Sequence, residues 1–192
     1  MAIYRCAILH HNLVKRMVLK FFSNTVELHL NTLYLVRHAK SSWKDHSLSD
    51  QDRPLNRRGK ESAPMMAQRL LANEVMIDRI ISSPAKRAHT TARKLAQGIG
   101  YNERDIELVD GLYFEGIETM MSIVQSAGPD CQSLMLVAHN PDMTHLLNSL
   151  VGYTTDNMPT CAIATIGFRE SWQEVDFGKG VLIDYDYPKR LD

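Results

Sequence analysis

The stretch Leu33-Tyr34-Leu35-Val36-Arg37-His38-Ala39 sets four apolar residues directly before an arginine and a histidine. An apolar run this short, without polar alternation, reads as a parallel strand buried on both faces. Ser133 to Ala138 repeats the pattern and also leads into a histidine, His139. Ile77 to Ser82 is a strand of the same kind, followed by Ser83 and, one helical turn on, Arg87. A further strand is expected at Ile106 to Val109.

Helical patterns lie between these runs. Asn56 can cap a helix reaching about Asn73, with Ala63, Ala67, Leu70 and Leu71 on its apolar stripe. Pro64 falls inside it and, lacking an N–H, is expected to kink it. Ser83 is expected to cap the next helix, with Pro84 at its first position and Gly98 or Gly100 at its end. Ile117 to Gln125 and Pro141 to Val151 complete the helices. Ala162 to Phe168 and two strands flanking Gly178-Lys179-Gly180 read as an antiparallel addition ending near Pro188. Strands alternating with helices in this way predict a doubly wound, three-layer α/β/α sandwich with a mostly parallel sheet.

Composition sets the class. Hydrophobic residues make up 44% of the 192, enough for one packed domain. Lys plus Arg and Asp plus Glu balance at 22 each, so the basic excess of a nucleic-acid or membrane-surface binder is missing. No run approaches the roughly 18 apolar residues of a membrane span. Cys6, Cys131 and Cys161 are too widely spaced for a disulfide framework or a zinc site, and read as inert thiols in a reducing, cytoplasmic setting. Residues 1–32 carry Arg5, Lys15, Arg16 and Lys20 against a single acid, Glu27, and their apolar stretches are broken by His10, His11 and Asn12. They read as a poorly ordered extension before a domain spanning 33–192, with an organelle-targeting leader as the alternative.

In open α/β sheets, ligands bind at the carboxyl ends of the strands. Three strand ends deliver Arg37 and His38, Ser83 and Arg87, and His139 and Asn140. Any one of these residues alone reads as structural. Together they suit phosphoryl transfer. A neutral imidazole is a competent nucleophile near pH 7. Arginines supply planar, permanently charged forks for the equatorial oxygens, where transition-state charge resides. His10, His11, His29, His46 and His89 have no such placement, and the spacing of His145 from His139 is not that of a metal site.

At these residues the chain resembles the histidine phosphatase, or phosphoglycerate mutase-like, superfamily. Arg37-His38-Ala39 resembles its Arg-His-Gly motif, Ser82 to Ala92 its second block, and Val137-Ala138-His139-Asn140-Pro141 its third. Asp52-Arg53-Pro54-Leu55-Asn56-Arg57-Arg58-Gly59 and Pro159 to Ala164 are similar to the short SixA branch, whose members are phosphohistidine phosphatases. The resemblance covers about Leu33 to Pro188 and implies a phosphoglycerate mutase-like fold. It implies that His38 is transiently phosphorylated and that Arg37, Arg87 and His139 hold the phosphoryl oxygens, with no cofactor and no metal. Arg53, Ser41 and Asn140 are further substrate-binding candidates. Ala39 stands where the family has glycine, which calls for an ordinary negative φ.

Larger members carry a carboxylate that protonates the leaving oxygen. Asp110 and Glu115 lie in that region, and the sequence does not rank them. A phosphoramidate needs such an acid less, because imidazole can depart neutral when its ring is already protonated. The reading is therefore a phosphohistidine phosphatase acting on a phosphorylated protein. The alternatives are a phosphomonoesterase on a small phosphorylated metabolite and a non-catalytic phosphate-binding module.

Overall fold

The computed structural model describes residues 17–19, 26–28 and 30–190. The expectation for residues 1–32 thus falls mostly outside the described residues. Those described there include a short antiparallel pair, β1 (Met17–Leu19) with β2 (Val26–Leu28).

The remaining elements run β3 (Asn31–Arg37), α1 (Arg57–Ala72), β4 (Arg79–Ser82), α2 (Lys86–Ile99), β5 (Glu107–Leu108), α3 (Gly116–Gln125), β6 (Ser133–Ala138), α4 (Asp142–Val151), β7 (Ile163–Phe168) and β8 (Val181–Asp186). The sheet order is β5-β4-β6-β3-β7-β8. The first four of these strands are mutually parallel, and β7 runs antiparallel to both β3 and β8. This is the mixed, mostly parallel sheet that the sequence resemblance implies, with helices on both faces.

Strand pleating sends alternate side chains to opposite faces, so β3 and β6 feed two cores. Leu33, Leu35, Leu134 and Leu136 pack with Met120, Met143, Leu146 and Leu147 of α3 and α4. Tyr34, Val36, Met135 and Val137 pack with Ala63, Met66, Ala92 and Leu95 of α1 and α2. Burial on both faces explains why these strands read as continuous apolar runs.

Asn56 does cap α1, accepting from the Gly59 amide at 2.9 Å, and the helix continues unbroken through Pro64. Two local expectations are corrected. Ser83 is not the N-cap: α2 starts at Lys86 with Ala85 in the capping position, and the Ser83 hydroxyl also meets His139 Nε2 at the sheet end. Between β7 and Gly178 there is no strand. A 3-10 turn at Trp172–Glu174 takes its place, because Trp172 is buried against the core and its indole donates to the Cys131 carbonyl at 2.5 Å. The antiparallel addition is therefore β7 with β8.

Candidate active site

Register alone brings the two histidines together. β3 pairs with β6 up to Arg37 opposite Ala138, so His38 and His139 are the next residues out on neighbouring strands. The His38 amide donates to the Ala138 carbonyl at 3.0 Å, and the Ser83 amide to Val137 at 2.9 Å, which levels the three strand ends. The imidazole centroids lie 4.9 Å apart. Both rings are buried, His38 at 8% and His139 at 1% exposure.

The tautomer of His38 follows from its partners. Nδ1 lies 2.7 Å from the Ala39 carbonyl, which can only accept, so Nδ1 carries the hydrogen. Nε2 then holds a lone pair, toward which Arg87 Nε–H points at 3.3 Å. Burial pushes the His38 pKa down to about 3; the Ala39 hydrogen bond opposes this, and Arg87, Arg37 and Arg53 add to it. Burial, followed by the charge of neighbouring groups, pushes His139 down to about 2. Both rings are neutral at pH 7, the state a nucleophile requires. Ala39 is fully buried and is not among the positive-φ residues, so the alanine fits the glycine position without backbone strain. Its amide donates to Thr91 Oγ1 at 3.0 Å, tying the loop to α2.

Three guanidinium groups surround the pair. Arg87 is 2% exposed and also donates to the Asp50 backbone carbonyl at 2.5 Å and to Asp50 Oδ2 at 2.8 Å. Arg53 donates to Asp50 Oδ1 at 2.8 Å and to Ser41 Oγ at 2.5 Å, and lies under the Trp43 ring at 3.3 Å from its centroid. Ser41 thus orients Arg53. Arg37 donates to the Met158 carbonyl at 2.6 Å and to Asn157 Oδ1 at 3.1 Å. Asn140 donates to the same two acceptors, at 3.3 and 2.7 Å, so it shares with Arg37 the segment that holds both.

Buried polar atoms normally find partners. Among the described residues five buried side-chain atoms have none in the protein, and four belong here: Arg37 Nε, Arg53 Nε, His139 Nδ1 and Asn140 Oδ1. Three of them are nitrogens on groups able to donate, the complement an oxyanion wants. Among the described residues, no three His, Cys, Asp or Glu side chains are grouped to hold a metal ion.

Asp110 and Glu115 are exposed, and neither makes a hydrogen bond or ion pair with these histidines and arginines. The carboxylate that does reach the cluster is Asp50, which also accepts from the Tyr113 hydroxyl at 2.7 Å. Sequence reading missed Asp50, Ser83 in its observed role, and the aromatic pair Tyr113 and Phe114. Tyr113 meets His139 edge-on at 5.4 Å, and Phe114 lies 4.9 Å from it. Phe114 does so with a φ of 62°, a conformation costly for a bulky residue and therefore fixed by its surroundings. The spacing of Asp50 three residues before Arg53 was the available signal for that pair.

Residues 33–113 match the model of the histidine phosphatase superfamily, branch 1. A crystal structure assigned as a SixA phosphohistidine phosphatase from Agrobacterium tumefaciens superposes with a TM-score of 0.70 at 30% identity, covering 82% of this chain and 98% of that one. The chain belongs to the histidine phosphatase superfamily. A SixA protein histidine phosphatase complexed with tungstate has the same fold, with a TM-score of 0.70 at 22% identity and coverage of 82% and 97%. An uncharacterized chloroplastic protein of Arabidopsis thaliana is 32% identical over 151 residues, 74% of this chain and 69% of that protein. Among the described residues no helix is long and apolar enough to cross a membrane.

Proposed function

We propose that this histidine phosphatase superfamily member is a phosphohistidine phosphatase of SixA type. The observation that carries the reading is the fixed tautomer of His38, which leaves the Nε2 lone pair beside Arg87. In the first step Nε2 attacks phosphorus, and the bond from phosphorus to the substrate imidazole nitrogen breaks. That imidazole leaves neutral when its other nitrogen is protonated. In the second step water attacks phosphorus, its proton passes to solvent or phosphate, and His38 departs with its electron pair restored. Arg37, Arg53 and Arg87 supply charge to the equatorial oxygens, and His139 supplies a donor, throughout both steps.

The substrate class rests on the leaving group. Asp110 and Glu115 make no hydrogen bond or ion pair with the cluster, and Asp50 is held below its ordinary pKa. Burial opposes that shift, and hydrogen bonds from Tyr113 and Arg87 with the charges of Arg87 and Arg53 outweigh it. An ionised carboxylate is a poor proton donor for an alkoxide, whereas imidazole tolerates the lack of one. The similar A. tumefaciens protein is assigned the same activity. Cys131 and Cys161 are buried free thiols, consistent with a reducing compartment.

The test uses the full chain and a phosphohistidine-bearing protein domain, without added metal. Dephosphorylation is expected, with a phosphate trapped on His38 during turnover and complete loss in His38→Ala. Turnover retained by that variant would sink the mechanism. Binding of phosphate without any phosphorylated intermediate would point to a non-catalytic module.

A further inference from the structure

Among the described residues Asp50 is the one carboxylate hydrogen-bonded to the arginine cluster, and nothing in the family reading gives it a task. Its side chain is 42% exposed, yet each oxygen is engaged. Oδ1 accepts from Arg53, and Oδ2 accepts from both Arg87 and Tyr113. It bridges two guanidinium groups as an oxyanion would. The charge count gives this meaning. With both imidazoles neutral, Arg37, Arg53 and Arg87 contribute three positive charges and Asp50 one negative, leaving a net two. A phosphoryl dianion carries two negative charges. Without Asp50 the cluster would exceed its ligand by one charge.

We propose that Asp50 is a built-in counter-ion that trims the arginine cluster to the charge of the phosphoryl group and keeps inorganic phosphate from binding too tightly after hydrolysis. It acts through Arg53 and Arg87 and so is a positioning residue, not a catalytic one. The proposal rests on the phosphate-site reading above. Between turnovers the carboxylate also holds the two forks in place, so Arg87, buried beside His38, is never an uncompensated charge.

Asp50→Asn keeps the shape and one acceptor oxygen while removing the charge. Tungstate and inorganic phosphate binding to the purified full chain are measured by calorimetry, with phosphate inhibition of turnover alongside. A unit charge close to a dianion in a half-exposed site is worth about tenfold in affinity, so Asp50→Asn is expected to bind both oxyanions about tenfold more tightly. Phosphate inhibition strengthens in parallel. Asp50→Ser, which loses the bridge as well, is expected to shift in the same direction. Equal or weaker binding by Asp50→Asn, beside a wild-type chain that binds, would overturn the counter-ion role and leave Asp50 a mere prop. If the wild-type chain binds neither oxyanion, the phosphate-site reading falls and this proposal falls with it.

Discussion

The Ser83 hydroxyl lies 2.8 Å from His139 Nε2, and its other polar contact is the Ala85 amide, a donor, at 3.3 Å. A buried hydroxyl hydrogen needs an acceptor, and of these two contacts only Nε2 can be one, so the hydrogen is assigned to Nε2 and the imidazole hydrogen to Nδ1, the ring atom with no partner in the protein. Ser83 thus sets which nitrogen of His139 can donate to a phosphoryl oxygen.

Ser83→Ala should free that choice. We expect kcat to fall roughly tenfold to a hundredfold with folding intact, less than the roughly hundredfold to thousandfold lost when an oxyanion donor is removed outright, because a tautomer mixture keeps part of the donor. Nitrogen chemical shifts of His139 check the cause, moving from a single Nδ1–H tautomer to a mixture. Ser83→Thr should restore both.

Neutral, buried histidines make stability depend on pH. The folded pKa values of about 3 and about 2 lie below the ordinary histidine value, so between roughly pH 6.5 and 3 the unfolded chain binds more protons than the folded one. Stability is full above that window and falls as pH drops through it, by up to about 1.4 kcal/mol per pH unit for each ring. Urea midpoints at pH 7 and pH 5 measure this. A flat profile would mean that His38 and His139 are not held neutral. The acid limb of kcat/KM should likewise lie well below pH 6.5.

Gly59 sits where α1 passes the active-site loop. A Cβ there would stand 2.2 Å from the Lys40 carbonyl oxygen and 3.0 Å from its amide nitrogen, both rigid backbone atoms. The same carbonyl accepts from the Asn56 amide at 3.0 Å. Gly59→Ala should cost at least about 1–3 kcal/mol in chemical denaturation, the range for overpacking. It should also lower activity, because Lys40 follows His38 and Ala39 directly in the chain.

Asp110→Asn and Glu115→Gln should leave turnover of a phosphohistidine substrate within about twofold, because neither carboxylate is hydrogen-bonded or ion-paired to the cluster and a protonated imidazole leaves without an enzymic acid. Steady-state assays of both variants check this. A large loss in either would favour a phosphomonoester whose leaving oxygen needs a proton.

The sheet centre was legible because strands buried on both faces lose polar alternation, and Leu33 to Val36 and Leu134 to Ala138 show that loss plainly. The placement of His38, His139 and Arg87 was legible because strand ends in such sheets converge. Asp50 was not, since a loop aspartate looks the same in sequence whether it faces water or two guanidinium groups. Ser83 misled because serine before proline and a helix is a normal cap, and only the neighbouring strand shows that His139 competes for it. The 3-10 turn at Trp172 was hidden for a related reason: long-range burial of one indole overrode a local strand pattern.

β3 and β6 are adjacent in the sheet yet separated in the chain by two helices, two strands and α3 with its loops. Their pairing is a non-local contact whose closure entropy must be met before it is rewarded. The same pairing delivers the nucleophile to its partner ring. Recovery of turnover after dilution from denaturant therefore reports closure of that central ladder, and cannot run ahead of it. Helical signal can return earlier. A refolding experiment that follows both would time the moment at which a chain with its helices already formed becomes an enzyme.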